Sequence, residues 1–130
     1  MATSAPPPSG GPTNLGIAPN VGGLLCYVPC CIGLIFSIVV AIVEKQNRFL
    51  RFHAFQSLLF HAAIIVCSVA VQVLTMVLSQ IAGLLGLFGS LFGLLVGLGA
   101  LAVSILMMIK AYNNEQYELP TIGQMAKNWV

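Results

Sequence analysis

His53 and His61 are the only histidines in this 130-residue chain and the side chains best suited to chemistry. At 100° per residue, a spacing of eight puts both on one face of a helix. They sit at the start of a stretch, Phe52 to Ile109, that contains no Asp, Glu, Lys or Arg. A membrane-embedded imidazole can ligate haem iron or a chlorophyll magnesium, relay protons, or simply pack as a hydrogen-bonded side chain. His61 lies deeper in the apolar run, and His53 nearer its charged flank. Without a partner His61 would cost several kcal/mol, and Ser57, one turn away, is the nearest on its own helix. A tetrapyrrole is the one cofactor the sequence suggests, and none is required.

Nothing else reads as catalytic. No Asp occurs, and no residue pair resembles a nucleophile with its base or two working carboxylates. Cys26, Cys30, Cys31 and Cys67 all lie in apolar runs, with no second Cys or His pair to complete a zinc pattern. Such thiols behave as small hydrophobes, so no metal site is expected. No basic run is long enough for nucleic acid, and no small-molecule substrate is evident. The expectation is a non-enzyme.

The elements that must position these residues are membrane helices. The chain is 58% hydrophobic and 6% charged, against about 25% charged in a soluble domain. One apolar segment runs from Val21 to Val43, long enough to span, with Pro29 inside it predicting a kink at the freed carbonyl of Leu25. A re-entrant first half is the competing reading. The long uncharged run is too long for one span. It divides best near Ser79, Gln80, Gly83 and Gly86 into spans at about 52–78 and 87–110. The fold class is therefore all-α: a polytopic membrane protein with three transmembrane helices, plus a short interfacial C-terminal helix. The domains are a flexible Pro/Gly-rich tail (1–19), a transmembrane bundle (20–112) and an interfacial tail (113–130), in which Ile122, Met125, Ala126, Trp129 and Val130 share a helical face.

Each span carries one small or polar face. On the second, His53, Ser57, His61, Ser68, Gln72, Thr75 and Ser79 fall within an arc of about 100°. On the third, Gly89, Gly93 and Gly97 make overlapping G-x-x-x-G steps that Ala100 and Ser104 continue. Such faces either pack within the protein or receive a partner subunit. Between the first two spans, Glu44, Lys45, Arg48 and Arg51 are half of all the charged residues. Lys45, Arg48 and Arg51, with Lys110 at the last span's end, read as topology anchors against anionic lipid headgroups. Three spans then put the N-terminus outside and the C-terminus in the cytoplasm.

Three stretches carry a family resemblance: "NVGGLLCY" at Asn20–Tyr27, "EKQNRFLRFHAFQSLL" at Glu44–Leu59, and "IKAYNNEQYELPTIGQMA" at Ile109–Ala126. Together they resemble small bacterial membrane proteins of unknown function related to the Tic-type chloroplast inner-envelope import component. The resemblance implies a small helical bundle, no enzymatic activity and, in the chloroplast member, a part in protein import. The leading expectation is a non-catalytic accessory or structural subunit of a bacterial inner-membrane assembly, with lipids and other membrane subunits as partners. An energy-transducing complex holding pigment or haem is one such assembly. The alternative is a Tic-type translocation or insertion component.

Overall fold

A computed structural model of the chain describes residues 12–130, and the first eleven residues of the expected N-terminal tail lie outside them. The described chain forms five helices: α1 (Pro19–Cys26), α2 (Cys31–Val43), α3 (Arg48–Ile81), α4 (Gly83–Tyr112) and α5 (Ile122–Trp129). They fall into two compact units, Met1–His61 with Ser104–Val130, and Ala62–Val103.

The first unit has a core of its own, with Tyr27, Val40, Phe49, Leu50, Phe52, Ala54, Met107 and Ala111 all buried. Pro19 opens α1 at a position where its missing N–H costs nothing. The single first span expected from Val21 to Val43 is instead two short helices. Pro29 does more than kink the segment. The Leu25 carbonyl accepts from Val28 N, Cys30 takes a left-handed φ of 72°, and the chain turns before α2 begins. The Cys26 carbonyl is bonded by the Ser37 and Ser57 hydroxyls. Gly33 is required there, because a Cβ would run into the carbonyl oxygens of Val28 and Cys26.

The turn into α3 is built by two side chains. Glu44 Oε1 accepts from the N–H groups of Gln46 and Asn47, each at 2.9 Å. Asn47 Oδ1 accepts from Leu50 N at 3.0 Å, satisfying one of the N–H groups that a helix start leaves free. At the far end of α4, Asn114 takes φ 63°. Glu115 N then returns to Lys110 O and Asn114 N to Ala111 O, a Schellman closure with Asn where Gly is usual.

The second unit is a helical hairpin. Its halves of α3 and α4 join at Ala82 alone, a tighter turn than the expected 79–86 segment. Ser79 and Gly86 are helical, and they mark a close approach: a Cβ on Gly86 would stand 2.7 Å from Ser79 Cβ. Among the described residues, α3 and α4 are the two helices long and apolar enough to cross a membrane. α2, with 13 residues, is about 20 Å long, short of a hydrocarbon core of about 30 Å. Beyond His61 no residue of α3 is buried, and Ile65, Val66, Val69, Val73, Leu74, Met76 and Val77 lie open on all sides. A helix that leaves so many large apolar side chains exposed belongs in lipid or against other apolar helices.

Candidate functional site: a buried polar clamp and a hairpin groove

The first unit buries a chain of polar side chains. Gln56 Nε2 donates to the Tyr27 hydroxyl at 2.9 Å and to the Tyr117 carbonyl at 2.9 Å, while its Oε1 accepts from Leu119 N at 2.9 Å. Tyr27 then donates to His53 Nδ1 at 3.2 Å. His53 Nε2 lies 3.1 Å from the Glu115 carbonyl, which can only accept, so the imidazole is neutral with its proton on Nε2. Every bond in the chain has one direction. Phe49, Phe52 and Tyr27 meet the His53 ring edge to face, at centroid distances of 4.5, 5.4 and 5.7 Å.

The clamp ties together the end of α1, the start of α3 and the 115–119 segment. No buried side-chain N or O among the described residues lacks a partner. A fully satisfied network of this kind rigidifies a fold. His53, a candidate cofactor ligand by sequence, has both ring nitrogens engaged and no exposed surface. His61 differs. Its Nδ1 donates to the Ser57 carbonyl at 2.8 Å, with the Ser57 hydroxyl 3.1 Å away, and its Nε2 bonds no described residue.

Glu44 forms a second buried polar centre in the first unit. Its Oε2 accepts from Asn14 N at 2.7 Å, and Lys45 N donates to Asn14 Oδ1 at 2.8 Å. Burial alone would push this carboxyl up. The N–H groups of Asn47, Gln46, Asn14 and Leu15 outweigh that and hold it below its ordinary value of 4.5. Arg51 donates to the Glu44 carbonyl at 2.6 Å and lies over the Phe55 ring at 5.2 Å. Lys110 pairs with Glu115 at 2.8 Å. Lys45 and Arg48 are exposed.

The two predicted stripes divide between the units. His53, Ser57 and Ser104 are buried in the first unit. Ser68, Gln72, Thr75, Gly89, Gly93 and Gly97 belong to the second, where they line a groove of about 370 Å³ together with Val71, Ser90, Leu94 and Val96. The helices touch at Gly89, whose Cβ would stand 2.5 Å from Thr75 Oγ1, and at Gly93, 3.2 Å from Val71 Cγ1; at Gly97 nothing lies within 4 Å. The groove thus widens away from the turn. Ser68, Gln72 and Thr75 bond no described residue.

Sequence reasoning missed Tyr27, Gln56, Glu44 and Asn47 as a constellation. Two signals could have found them. Gln56 lies three residues from His53 and shares its helical face. Glu44 and Asn47, just before an apolar run, have the types and spacing of a helix start.

One unit with a buried polar clamp, and two helices long and apolar enough to cross a membrane, define a small integral membrane protein. Residues 13–126 match the magnetosome magnetite crystal formation protein family, MamF/MmsF, and the chain belongs to that family. It is 33% identical over 119 residues to a UPF0132 membrane protein of Methanocaldococcus jannaschii, covering 92% of this chain and 94% of the relative. A second UPF0132 membrane protein of that organism is 30% identical, over 88% of this chain and 72% of its own. A third, from Archaeoglobus fulgidus, is 31% identical over 85% and 94%. No solved structure matches. These findings correct the Tic-type resemblance: the motifs belong to a family with archaeal members, and nothing links them to chloroplast import. The expected bacterial origin and bacterial inner membrane find no support either, since these relatives are archaeal.

Proposed function

We propose that the protein is a non-catalytic accessory subunit of a membrane assembly, anchored by its hairpin and docked through the hairpin groove to a helix of another membrane protein. The groove carries this reading. Ser68, Gln72 and Thr75 have no bonding partner among the described residues, in a stretch without charge, and Gln72 sits midway along the exposed half of α3. An amide left unpaired in hydrocarbon costs about 4–8 kcal/mol relative to water. A partner helix lying against Gly93 and Gly97 would bring hydrogen-bonding groups within reach. The family's description, magnetosome magnetite crystal formation, makes a mineral-forming membrane the first place to look for that partner. A photo-crosslinker at position 72, activated in native membranes, is expected to give a discrete heavier adduct. Lipid adducts alone would count against the reading.

The hairpin brings the chain back to the side it left. Asn14 bonds to Glu44, so Asn14 and the 44–47 turn also lie together, and α1 with α2 makes no full crossing. The proposed topology is thus two spans with Asn14 and α5 on one side. Lys45, Arg48, Arg51, Lys110 and Lys127 all belong to the first unit, and the positive-inside rule makes that side cytoplasmic. This replaces the opposed termini that three spans implied.

A second reading rests on His61. An imidazole that donates from Nδ1 to a backbone carbonyl has its Nε2 lone pair fixed and open, as an axial ligand does. If His61 holds a tetrapyrrole in an energy-transducing assembly, His61→Leu removes or shifts an absorption band of the purified assembly. An unchanged spectrum would leave His61 as a packing residue bonded to Ser57.

A further inference from the structure

We infer that the cleft between the start of α3 and α5 is a binding site for the phosphate of an anionic phospholipid headgroup. The cleft lies wholly within the first unit. It has a volume of about 390 Å³ and is lined by Arg48, Phe52, Gln116, Lys127 and Val130.

Of its two lining cations, Lys127 is paired with Glu118 and Arg48 has no carboxylate partner among the described residues. Of the chain's three carboxylate side chains, Glu115 is paired with Lys110 at 2.8 Å, and Glu44 is occupied by backbone N–H groups. Glu118 pairs with Lys127 at 2.5 Å. That leaves Arg48, exposed and bonded to no described residue, and Arg51, whose guanidinium meets two carbonyl oxygens, Glu44 and Trp129, and no carboxylate. The Arg48 fork matches two phosphate oxygens at once. Lys127 Nζ and the Gln116 amide supply further donors around the same volume.

The rim of the cleft indicates a lipid rather than a free anion. Trp129 is half exposed and packs on Phe55 at 5.9 Å, and Phe55 in turn carries Arg51. α5 turns Gly123 and Ala126 inward and leaves Met125 and Trp129 outside. The large apolar members of its expected interfacial face are therefore free to enter a bilayer. Indole beside guanidinium is the pairing found at the headgroup level of membranes. This placement rests on the reading that the first unit lies at the membrane surface. It is independent of any partner at the hairpin groove.

Trp129 is the only tryptophan in the chain, so its fluorescence reports on the rim of the cleft. The full chain in neutral detergent would be titrated with short-chain phosphatidylglycerol, short-chain phosphatidylcholine and inorganic phosphate. Phosphatidylglycerol is expected to give a saturable change that the other two do not give at the same concentrations. Arg48→Gln should weaken it about tenfold, as loss of a charged hydrogen-bonding partner does, Arg48→Lys less, and Gln124→Ala, exposed on α5, not at all. Circular dichroism checks that each variant keeps its helices. Equal curves for the two lipids, saturation by inorganic phosphate, or an unshifted Arg48→Gln curve would each overturn the site. The titration needs no bilayer and no partner protein, so its outcome is separate from that of position-72 crosslinking.

Discussion

The Tyr27 hydroxyl lies 3.2 Å from His53 Nδ1, and this one bond joins the end of the first helix to the start of the third. The Glu115 carbonyl, which can only accept, puts the ring proton on Nε2, and Nδ1 is left to accept from Tyr27. Three stretches far apart in the sequence, all within the family match at residues 13–126, meet here: Tyr27 in the first, His53 and Gln56 in the second, Glu115 to Leu119 in the third.

Breaking the chain at Tyr27 should cost measurable stability. Tyr27→Phe strands the His53 Nδ1 lone pair and one Gln56 N–H, at about 1–3 kcal/mol. Gln56→Ala strands Tyr27, the Tyr117 carbonyl and Leu119 N together and should cost more. The double variant should lose less than the sum, because the two side chains share a bond. Unfolding in detergent, followed by circular dichroism, measures all three. Strict additivity would mean that the bonds act separately.

Acid should loosen the Glu44 turn. Its carboxyl is held below the ordinary 4.5 in the folded protein. A depressed folded pKa contributes stability that is full above the unfolded value and lost as pH falls through the folded one. Unfolding midpoints of the parent should therefore drop below about pH 4.5, the ordinary value. Glu44→Gln should be less stable at neutral pH and should lack that part of the acid dependence. Parallel pH profiles for the two proteins would remove Glu44 as the cause.

The hairpin glycines should not be equivalent. A Leu at Gly89 would be forced against Thr75, and one at Gly93 against Val71, whereas at Gly99 nothing lies within 4 Å. Gly89→Leu and Gly93→Leu should lower the unfolding midpoint in detergent, and Gly99→Leu should leave it near the parent's. Three equal midpoints would show that close helix approach contributes nothing to the hairpin.

The membrane character and the long helices were legible in the sequence because lipid exposure writes itself as an unbroken apolar run, here from Phe52 to Ile109. The glycine and polar stripes stand out as departures from that run, but the sequence did not show that the polar stripe divides between the two units. The first segment was misread because its length satisfied a span, while the decisive features were local. They are Pro29, Cys30 in a left-handed turn, and Gly33 against two carbonyls. The clamp was half visible. His53 stood out as an imidazole, but its partners are a tyrosine and the backbone carbonyl of Glu115, both distant in sequence, and Gln56 beside it bonds the Tyr117 carbonyl. No helical-wheel argument reaches Tyr117 or Glu115 from α3, since pairing across more than 60 residues comes from tertiary packing alone.

Site-directed labelling tests the two-span topology most directly. After replacement of Cys26, Cys30, Cys31 and Cys67, single cysteines at Asn14, Gln46, Asn128 and Gly83 would be reacted with a membrane-impermeant thiol reagent in right-side-out and inverted vesicles. Positions 14, 46 and 128 are predicted to label from one and the same face, and position 83, at the hairpin turn, from the other. If position 14 labels together with position 83 and apart from position 46, the segment between Asn14 and Gln46 crosses the membrane, and the two-span account is wrong.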